Sequence, residues 1–129
     1  MSSQPIGVRI SAATPEADLS ACVWPGVTTI FYPRVESREQ VERADTLVSR
    51  LERQRGIRPR TVEIRPLIET PAGVSRAHGI ASSSDRIHAF GLGPHVALGG
   101  EALAYARGEC ELVARSLELT PVDVERVLD

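Results

Sequence analysis

The chain has 129 residues and a formal net charge of −2, so its bulk charge gives no reason to expect nucleic acid or a membrane as a partner. Hydrophobic residues make up 42% and charged residues 25%, which is typical of a folded globular protein rather than a disordered one. The length predicts a single domain over residues 1–129. All 15 basic residues are arginine, which excludes a Schiff-base lysine and the lysine of a Walker loop.

The two cysteines and the first residues indicate a cellular compartment. Cys22 and Cys110 are far apart and lack CxxC spacing, so we expect buried free thiols rather than a zinc ribbon or a redox pair. The start, MSSQPIGVRIS, lacks a basic segment followed by an apolar core, and no stretch approaches the roughly 18 apolar residues of a membrane span. We therefore expect a cytoplasmic location.

The first half of the chain predicts two strands, each followed by a helix. Residues 6–10 (IGVRI) form a short β-branched run, and Thr14, Pro15 and Glu16 have the chemistry of a helix start. Residues 27–32 (VTTIFY) are the densest β-forming run and predict a buried strand. Ser37 and Gln40 then form a capping box before an amphipathic helix that we expect to end at Gly56.

The second half repeats this alternation. Predicted strands over 61–68 and 86–91 lead into the helix-prone segments PAGVSRAHGIAS and EALAYARGECELVARSLEL. The last segment, TPVDVERVLD, is ambiguous, and we favour a helix after Pro121. Strands that alternate with helices predict an α/β fold, with about four parallel strands adjacent in chain order.

Three strings, VRIS, FYPRVES and IRPLIETPAGV, carry a family resemblance over roughly residues 8–118. They contain Arg9-Ile10-Ser11, the turn at 33–37 and the segment Ile68-Glu69-Thr70-Pro71-Ala72-Gly73-Val74. The chain resembles the citrate lyase β-subunit/HpcH-HpaI aldolase family, which includes malyl-CoA lyases. The resemblance implies the central part of a (β/α)8 barrel, because a complete barrel needs about 250 residues.

The resemblance also implies a chemistry, that of carbon–carbon lyases which use a divalent metal on acyl-CoA or keto-acid substrates. It makes Arg9 the clamp for the substrate carboxylate and Glu69 the surviving ligand to Mg²⁺, and we expect the two to converge at the ends of neighbouring strands. The family's F-G-x-x-D turn supplies an aspartate, but Pro94 stands at that position. The resemblance therefore implies weak Mg²⁺ binding and weakened or lost catalysis, and leaves enzymatic activity undecided.

Each candidate residue also has a structural interpretation. Arg9 could pair with a nearby carboxylate at the end of a strand, and Glu69 could cap the helix that begins near Pro71. Glu36 and Ser37 are expected to cap the helix that follows them rather than to act in catalysis.

The segment GLGPHVALGG raises two further interpretations. Its glycines weakly suggest a phosphate-binding loop, and the family turn accounts for the same residues. His95 is better interpreted as an ordinary loop histidine than as a metal ligand. If another carboxylate replaces the missing aspartate, Asp85, Asp129 or a residue of a neighbouring subunit would supply it.

Three functions stay open from the sequence. In the first hypothesis the chain is an active lyase. In the second it is a non-catalytic half barrel that oligomerises, and in the third it is a small anion-binding module. A small carboxylate or an acyl-CoA is the expected ligand. We also expect a homo-oligomer, because a half barrel leaves two sheet edges and one sheet face uncovered.

Overall fold

The computed structural model describes residues 4–123 and contains one parallel sheet flanked by helices. The strands follow one another in the sheet in chain order, and all four neighbouring pairs are parallel. This confirms the α/β class and the resemblance to part of a barrel, whereas a single domain over 1–129 stays a prediction. The elements are β1 (Ile6–Arg9), α1 (Pro15–Cys22), β2 (Val27–Tyr32), α2 (Arg38–Gln54), β3 (Glu63–Ile68), α3 (Pro71–Ser75), α4 (Ala77–Ala81), β4 (Ala89–Leu92), α5 (Gly100–Ser116) and β5 (Thr120–Asp123).

The fifth strand corrects one expectation. We favoured a helix after Pro121, and this is wrong for residues 122–123, because Thr120–Asp123 pairs with β4. The N–H of Thr120 donates to the carbonyl of His88 at 3.0 Å. An open edge of β4 offers main-chain partners that a short helix would leave unused, and a proline is tolerated because β5 pairs on one side only within the described sheet. The rest of the segment lies outside the described residues.

The helices pack on one face of the sheet. Strands that are adjacent in chain order and joined by right-handed crossovers place every helix on the same side. Alternate strand residues on that side are buried in the core with the helices, as shown by Ile30, Tyr32, Ile64 and Phe90. The opposite face, called the inner face, carries Gly7, Arg9, Thr29, Phe31, Glu63, Arg65 and Leu67, which follow from the registers of β1, β2 and β3.

Helix α2 shows how local sequence and packing agree. Gln40 Oε1 accepts the N–H groups of Glu36 at 2.7 Å and Ser37 at 3.0 Å, which confirms the predicted helix start at Ser37. The buried residues Val41, Ala44, Val48 and Leu51 recur every three or four positions, so they form one stripe against the sheet. Gly56 follows the helix with φ of 68°, a conformation that favours glycine. Among residues 4–123, no helix is long and apolar enough to cross a membrane.

The amino-terminal ends of β3 and β4 are joined to α2 by a partly buried ionic cluster, called the amino-end network. It comprises Arg86, Glu52, Asp45, Ser49 and Arg60. The guanidinium of Arg86 is fully buried and donates to Asp45 at 2.8 Å, to both oxygens of Glu52 at 2.7 and 2.9 Å, to Ser49 at 2.8 Å and to the carbonyl of Val62 at 3.0 Å. All five N–H groups of this side chain therefore have acceptors.

The charges of this network perturb one another. Burial opposes ionisation of Asp45, but hydrogen bonds from Arg60, Ser84 and Arg86 outweigh it and hold the pKa of that carboxyl well below its usual range. Burial likewise opposes ionisation of Glu52, and the bonds from Arg86 and from two backbone N–H groups lower its pKa. The sequence analysis missed this network, because its members are up to 41 residues apart in the chain.

Candidate functional site

Glu69 stands directly after β3, at the carboxyl end of the sheet, and its side chain is 1% exposed. Its Oε1 accepts the N–H of Arg34 at 2.9 Å, and its Oε2 accepts the N–H of His95 at 2.8 Å. Arg34 belongs to the loop after β2, and His95 belongs to the loop after β4. The carboxylate of Glu69 therefore connects, through these two hydrogen bonds, the loops that follow β2 and β4, the two strands beside β3.

Gly93 makes room for this carboxylate. A Cβ atom on Gly93 would lie 2.7 Å from Cγ and Cδ of Glu69 and 2.8 Å from Cβ of Leu67, closer than real contacts allow. The backbone of the same loop is bonded to β3, because the N–H of Gly93 donates to Ile68 at 3.0 Å and that of Ala97 donates to the carbonyl of Glu69 at 3.1 Å. The loop that carries Pro94 is thus held against Glu69 by its main chain.

Arg34 adopts a backbone conformation that is uncommon for a residue with a side chain. Its φ is 53°, in the left-handed region, which costs free energy for residues other than glycine. The bond from its N–H to Glu69 and the bond from Val35 N–H to the carbonyl of Leu67, at 3.2 Å, offset that cost. Its side chain is exposed beside the end of β2.

Thr70, and not Glu69, caps the helix that begins at Pro71. The hydroxyl of Thr70 accepts the N–H of Gly73 at 3.1 Å and donates to Oε2 of Glu36 at 2.7 Å. The alternative in which Glu69 is the cap is therefore wrong. The carboxylate of Glu36 bonds to Thr70 on the neighbouring strand end, so of the two residues expected to cap α2, Ser37 stands at the N-cap position.

Arg9 is the last residue of β1 and is exposed on the inner face. Its register partner on β2 is Phe31, whose own partner on β3 is Arg65. Since β2 lies between β1 and β3, the expectation that Arg9 and Glu69 lie on neighbouring strands is wrong. Glu69 is also four residues beyond Arg65, about 13 Å along an extended strand. Within residues 4–123 the side chain of Arg9 makes no ion pair. The interpretation in which Arg9 pairs with a nearby carboxylate at the end of its strand is therefore wrong for these residues.

The residues around Glu69 do not form a set suited to Mg²⁺, which prefers about six oxygen ligands in octahedral geometry. Each oxygen of Glu69 already accepts a backbone N–H. In the part of the chain that the structure describes, no group of three or more His, Cys, Asp or Glu side chains could hold a metal. His95 reaches Glu69 through its main chain. Asp85 precedes β4, at the opposite end of the sheet, and pairs with Arg60; Asp129 lies outside the described residues.

The thiols of Cys22 and Cys110 and the imidazole of His88 are not among the groups that contact Glu69. Burial raises the pKa of Cys110 to about 12 and also raises that of Cys22, so neither is an activated nucleophile. Both are free, as expected, and the expectation of a buried thiol is confirmed for Cys110, whereas Cys22 is only half-buried. His88 is 62% exposed, and its Nδ1 lies 3.8 Å from Oε1 of Glu63.

Comparisons with known proteins agree with the motifs at the strand ends. The sequence model of the HpcH/HpaI aldolase/citrate lyase family matches residues 3–99. The chain is 30% identical over 89 residues to citrate lyase subunit beta of Escherichia coli K12, a match that covers 67% of this chain and 30% of that protein. The corresponding subunit of Haemophilus influenzae is 30% identical over 76 residues, covering 59% of this chain and 26% of its own length. The match thus spans less than a third of these relatives.

Proposed function

Because the chain belongs to the HpcH/HpaI aldolase/citrate lyase family, we propose that it binds a small carboxylate or an acyl-CoA at the carboxyl ends of its strands, with weak or lost carbon–carbon lyase activity. The arrangement of Glu69 carries this proposal. The family ligand is retained and buried, yet its two oxygens serve the loops at Arg34 and His95, and proline stands where a second carboxylate is expected.

The weakness of the metal site has a consequence for rate. A divalent ion held by Glu69 would supply charge stabilisation to a carbonyl worth several kcal/mol, so weak retention of that ion would lower the rate by roughly a thousandfold or more. The remaining groups can still bind substrate. Arg9 is exposed on the inner face, and its planar guanidinium matches a carboxylate with two parallel hydrogen bonds. Binding without efficient turnover is therefore the expected behaviour.

The test is isothermal titration of the full chain with Mg²⁺ and with Mn²⁺, in the presence and absence of oxaloacetate or acetyl-CoA. We expect weak metal binding, and we expect Pro94→Asp to strengthen it by supplying a second carboxylate near Glu69. Pro94→Ala is the matched control, because it removes the ring without adding an oxygen ligand. Tight Mg²⁺ binding by the unmodified chain, together with rapid cleavage of a malyl- or citryl-type thioester, would contradict the proposal.

We also propose self-association, as a second role that needs no catalysis. The sheet over residues 4–123 is open, with β1 at one edge and β5 at the other, and Ile6 on β1 is 49% exposed. An unpaired edge strand offers main-chain groups to another chain. Sedimentation velocity at micromolar concentration should show a species larger than 14.0 kDa, and Ile6→Lys should shift it toward monomer. A monomer at all concentrations would contradict this role.

A cytoplasmic location belongs to the same proposal. Its support is the state of the cysteines, since Cys22 and Cys110 are both free and a reducing compartment keeps thiols unpaired. Fractionation of cells that produce the chain at natural levels would test it, and recovery with secreted proteins would contradict it.

A further inference from the structure

Helix α5 has an exposed face that combines apolar, small and charged residues. Its buried residues, Ala106, Cys110, Val113 and Ala114, pack toward the core. On the opposite side lies the α5 outer face, which comprises the exposed residues Glu101, Ala104, Tyr105, Gly108, Glu111, Leu112 and Arg115. Tyr105 is 66% and Leu112 is 68% exposed, the highest values among the large apolar side chains that the structure describes. Large apolar groups exposed together on one face indicate a contact surface.

Gly108 lies at the middle of this face, and its own chain gives no reason for a glycine there. A Cβ atom on Gly108 would meet no atom of the described residues within 4 Å, and its φ is not positive. Glycine is unfavourable inside a helix, because it loses more backbone entropy on folding than other residues. The lack of a side chain does let the backbone of a second helix come close. Gly108 therefore fits the crossing point of two helices.

The other residues of the face are arranged symmetrically about Gly108. Glu101 precedes it by seven positions and Arg115 follows it by seven, and positions seven apart return to nearly the same side of a helix. Each lies about 10 Å from Gly108 along the helix axis. In an antiparallel pair of α5 helices that cross at Gly108, each Glu101 is therefore opposite Arg115 of the other copy. Tyr105 and Leu112, three positions before and four after Gly108, come side by side in the same way.

The two charged groups are available for this contact. The Nε of Arg115 donates to Glu111 at 3.1 Å, which leaves the two Nη groups of its fork for a carboxylate of a second copy. Glu101 is exposed and makes no ion pair among residues 4–123. Exposed ion pairs add little to affinity, whereas charge complementarity determines which orientation of two surfaces is allowed. The apolar contact thus drives association, and the charges make it antiparallel.

We propose that the α5 outer face binds the same face of a second copy of this chain, antiparallel and with the two-fold axis at Gly108. This inference adds a second surface to the proposed self-association and does not depend on the edge of β1. The family model matches residues 3–99 and so does not include α5. A helix of 17 residues is about 25 Å long, so the contact is smaller than that of a permanent dimer. The dimer should dissociate on dilution.

The experiment measures the dimer by sedimentation equilibrium in full chains that carry Ile6→Lys, which blocks the edge of β1. Arg115→Glu places a glutamate opposite Glu101 and should raise the Kd of the dimer about tenfold or more, and Glu101→Arg should do the same. An equimolar mixture of these two variants should associate again, because each chain supplies the charge that the other lacks. Arg38→Glu is the matched control, since Arg38 is exposed on α2 and pairs with Glu42 at 3.3 Å.

Gly108→Gln separates the contact from the fold. Glutamine is a better helix former than glycine, so thermal melting should show equal or higher stability, while the longer side chain at the crossing point abolishes the dimer. This variant carries the test if melting shows that a charge variant does not fold. A dimer that survives Gly108→Gln, or folded charge variants that fail to associate when mixed, would overturn the inference.

The outcomes also separate this contact from the pairing proposed at β1. If Ile6→Lys alone is a monomer at all concentrations, the α5 contact is overturned and the pairing at β1 stands. If Ile6→Lys changes nothing and Arg115→Glu dissociates the species, the pairing at β1 is overturned and the α5 contact stands.

Discussion

The sheet has a buried charge at each end, and the two are satisfied in opposite ways. At the amino end, Arg86 is fully buried and bonded to two carboxylates, Glu52 and Asp45, as well as to a hydroxyl and a carbonyl. At the carboxyl end, Glu69 is equally buried, but among residues 4–123 its side chain bonds to two uncharged backbone N–H groups, those of Arg34 and His95. The charge of Arg86 is neutralised by two carboxylates, whereas the charge of Glu69 is stabilised by the dipoles of two backbone N–H groups.

The difference shows which end is structural. The five donors of Arg86 are all used within the fold, so this side chain has no free donor for a ligand. A carboxylate has about four lone-pair positions, and Glu69 uses one on each oxygen for the backbone. The carboxyl end is where α/β proteins place their sites, but the described residues around Glu69 do not supply the further oxygen ligands that a cation such as Mg²⁺ needs.

Removing Arg86 should have the largest effect. Arg86→Met leaves Glu52 buried without its counterion, and breaking a buried pair in this way costs about 3–5 kcal/mol of unfolding free energy. Urea unfolding followed by circular dichroism measures the loss. Arg115→Met, at a 65% exposed side chain, is the control and should cost less than about 1 kcal/mol. Equal losses in the two variants would show that the network does not stabilise the fold.

Acidification should weaken the same end without changing a residue. The pKa values of Asp45 and Glu52 are lowered in the folded state from their ordinary values of 3.8 and 4.5. The unfolded chain therefore takes up protons first. The stability from both groups is complete above about pH 5 and is lost as the pH falls through 4.5 and 3.8 toward the lower folded values. Urea midpoints between pH 3 and 7 measure this, and Asp45→Asn should flatten the curve. A midpoint that rises on acidification would contradict it.

Glu69→Gln tests the carboxyl end and should have a moderate effect. The amide retains one oxygen, so the N–H of either Arg34 or His95 loses its acceptor, at a cost of about 1–3 kcal/mol. Glu111→Gln on the exposed surface of α5 is the control and should change unfolding free energy by less than about 0.5 kcal/mol. Urea unfolding measures both variants. If Glu69→Gln is as stable as this control, the hydrogen bonds from the Glu69 carboxylate to the loops at Arg34 and His95 do not stabilise the fold.

Thr70→Ala should have the smallest effect of the four. It removes the cap of α3 and the bond to Glu36, and losing a helix cap costs about 1 kcal/mol. Thr46→Ala is a matched control, because the exposed hydroxyl of Thr46 bonds to the carbonyl of Glu42 within its own helix. Thermal melting of both variants measures the difference, and a larger loss for Thr46→Ala would contradict the capping role.

Much of the fold followed from local chemistry. The β-branched run at 27–32 predicted β2 to the residue, and Ser37 with Gln40 predicted the start of α2, because strand propensity and helix capping act within a few residues. The alternation of strands and helices then determined a parallel sheet in chain order. The strings around Arg9, Glu36 and Glu69 identified the family that the comparisons show.

Interactions between distant segments could not be obtained in this way. Residues 120–123 form a strand because they pair with the edge of β4. Arg86 and Asp45 are 41 residues apart in the chain, and only the fold brings their side chains to a distance of 2.8 Å. The sequence marked Glu69 as a carboxylate at a strand end. Only the packed loops show that its oxygens accept the N–H groups of Arg34 and His95, because backbone donors carry no signature in the residue type and their positions are determined by tertiary contacts.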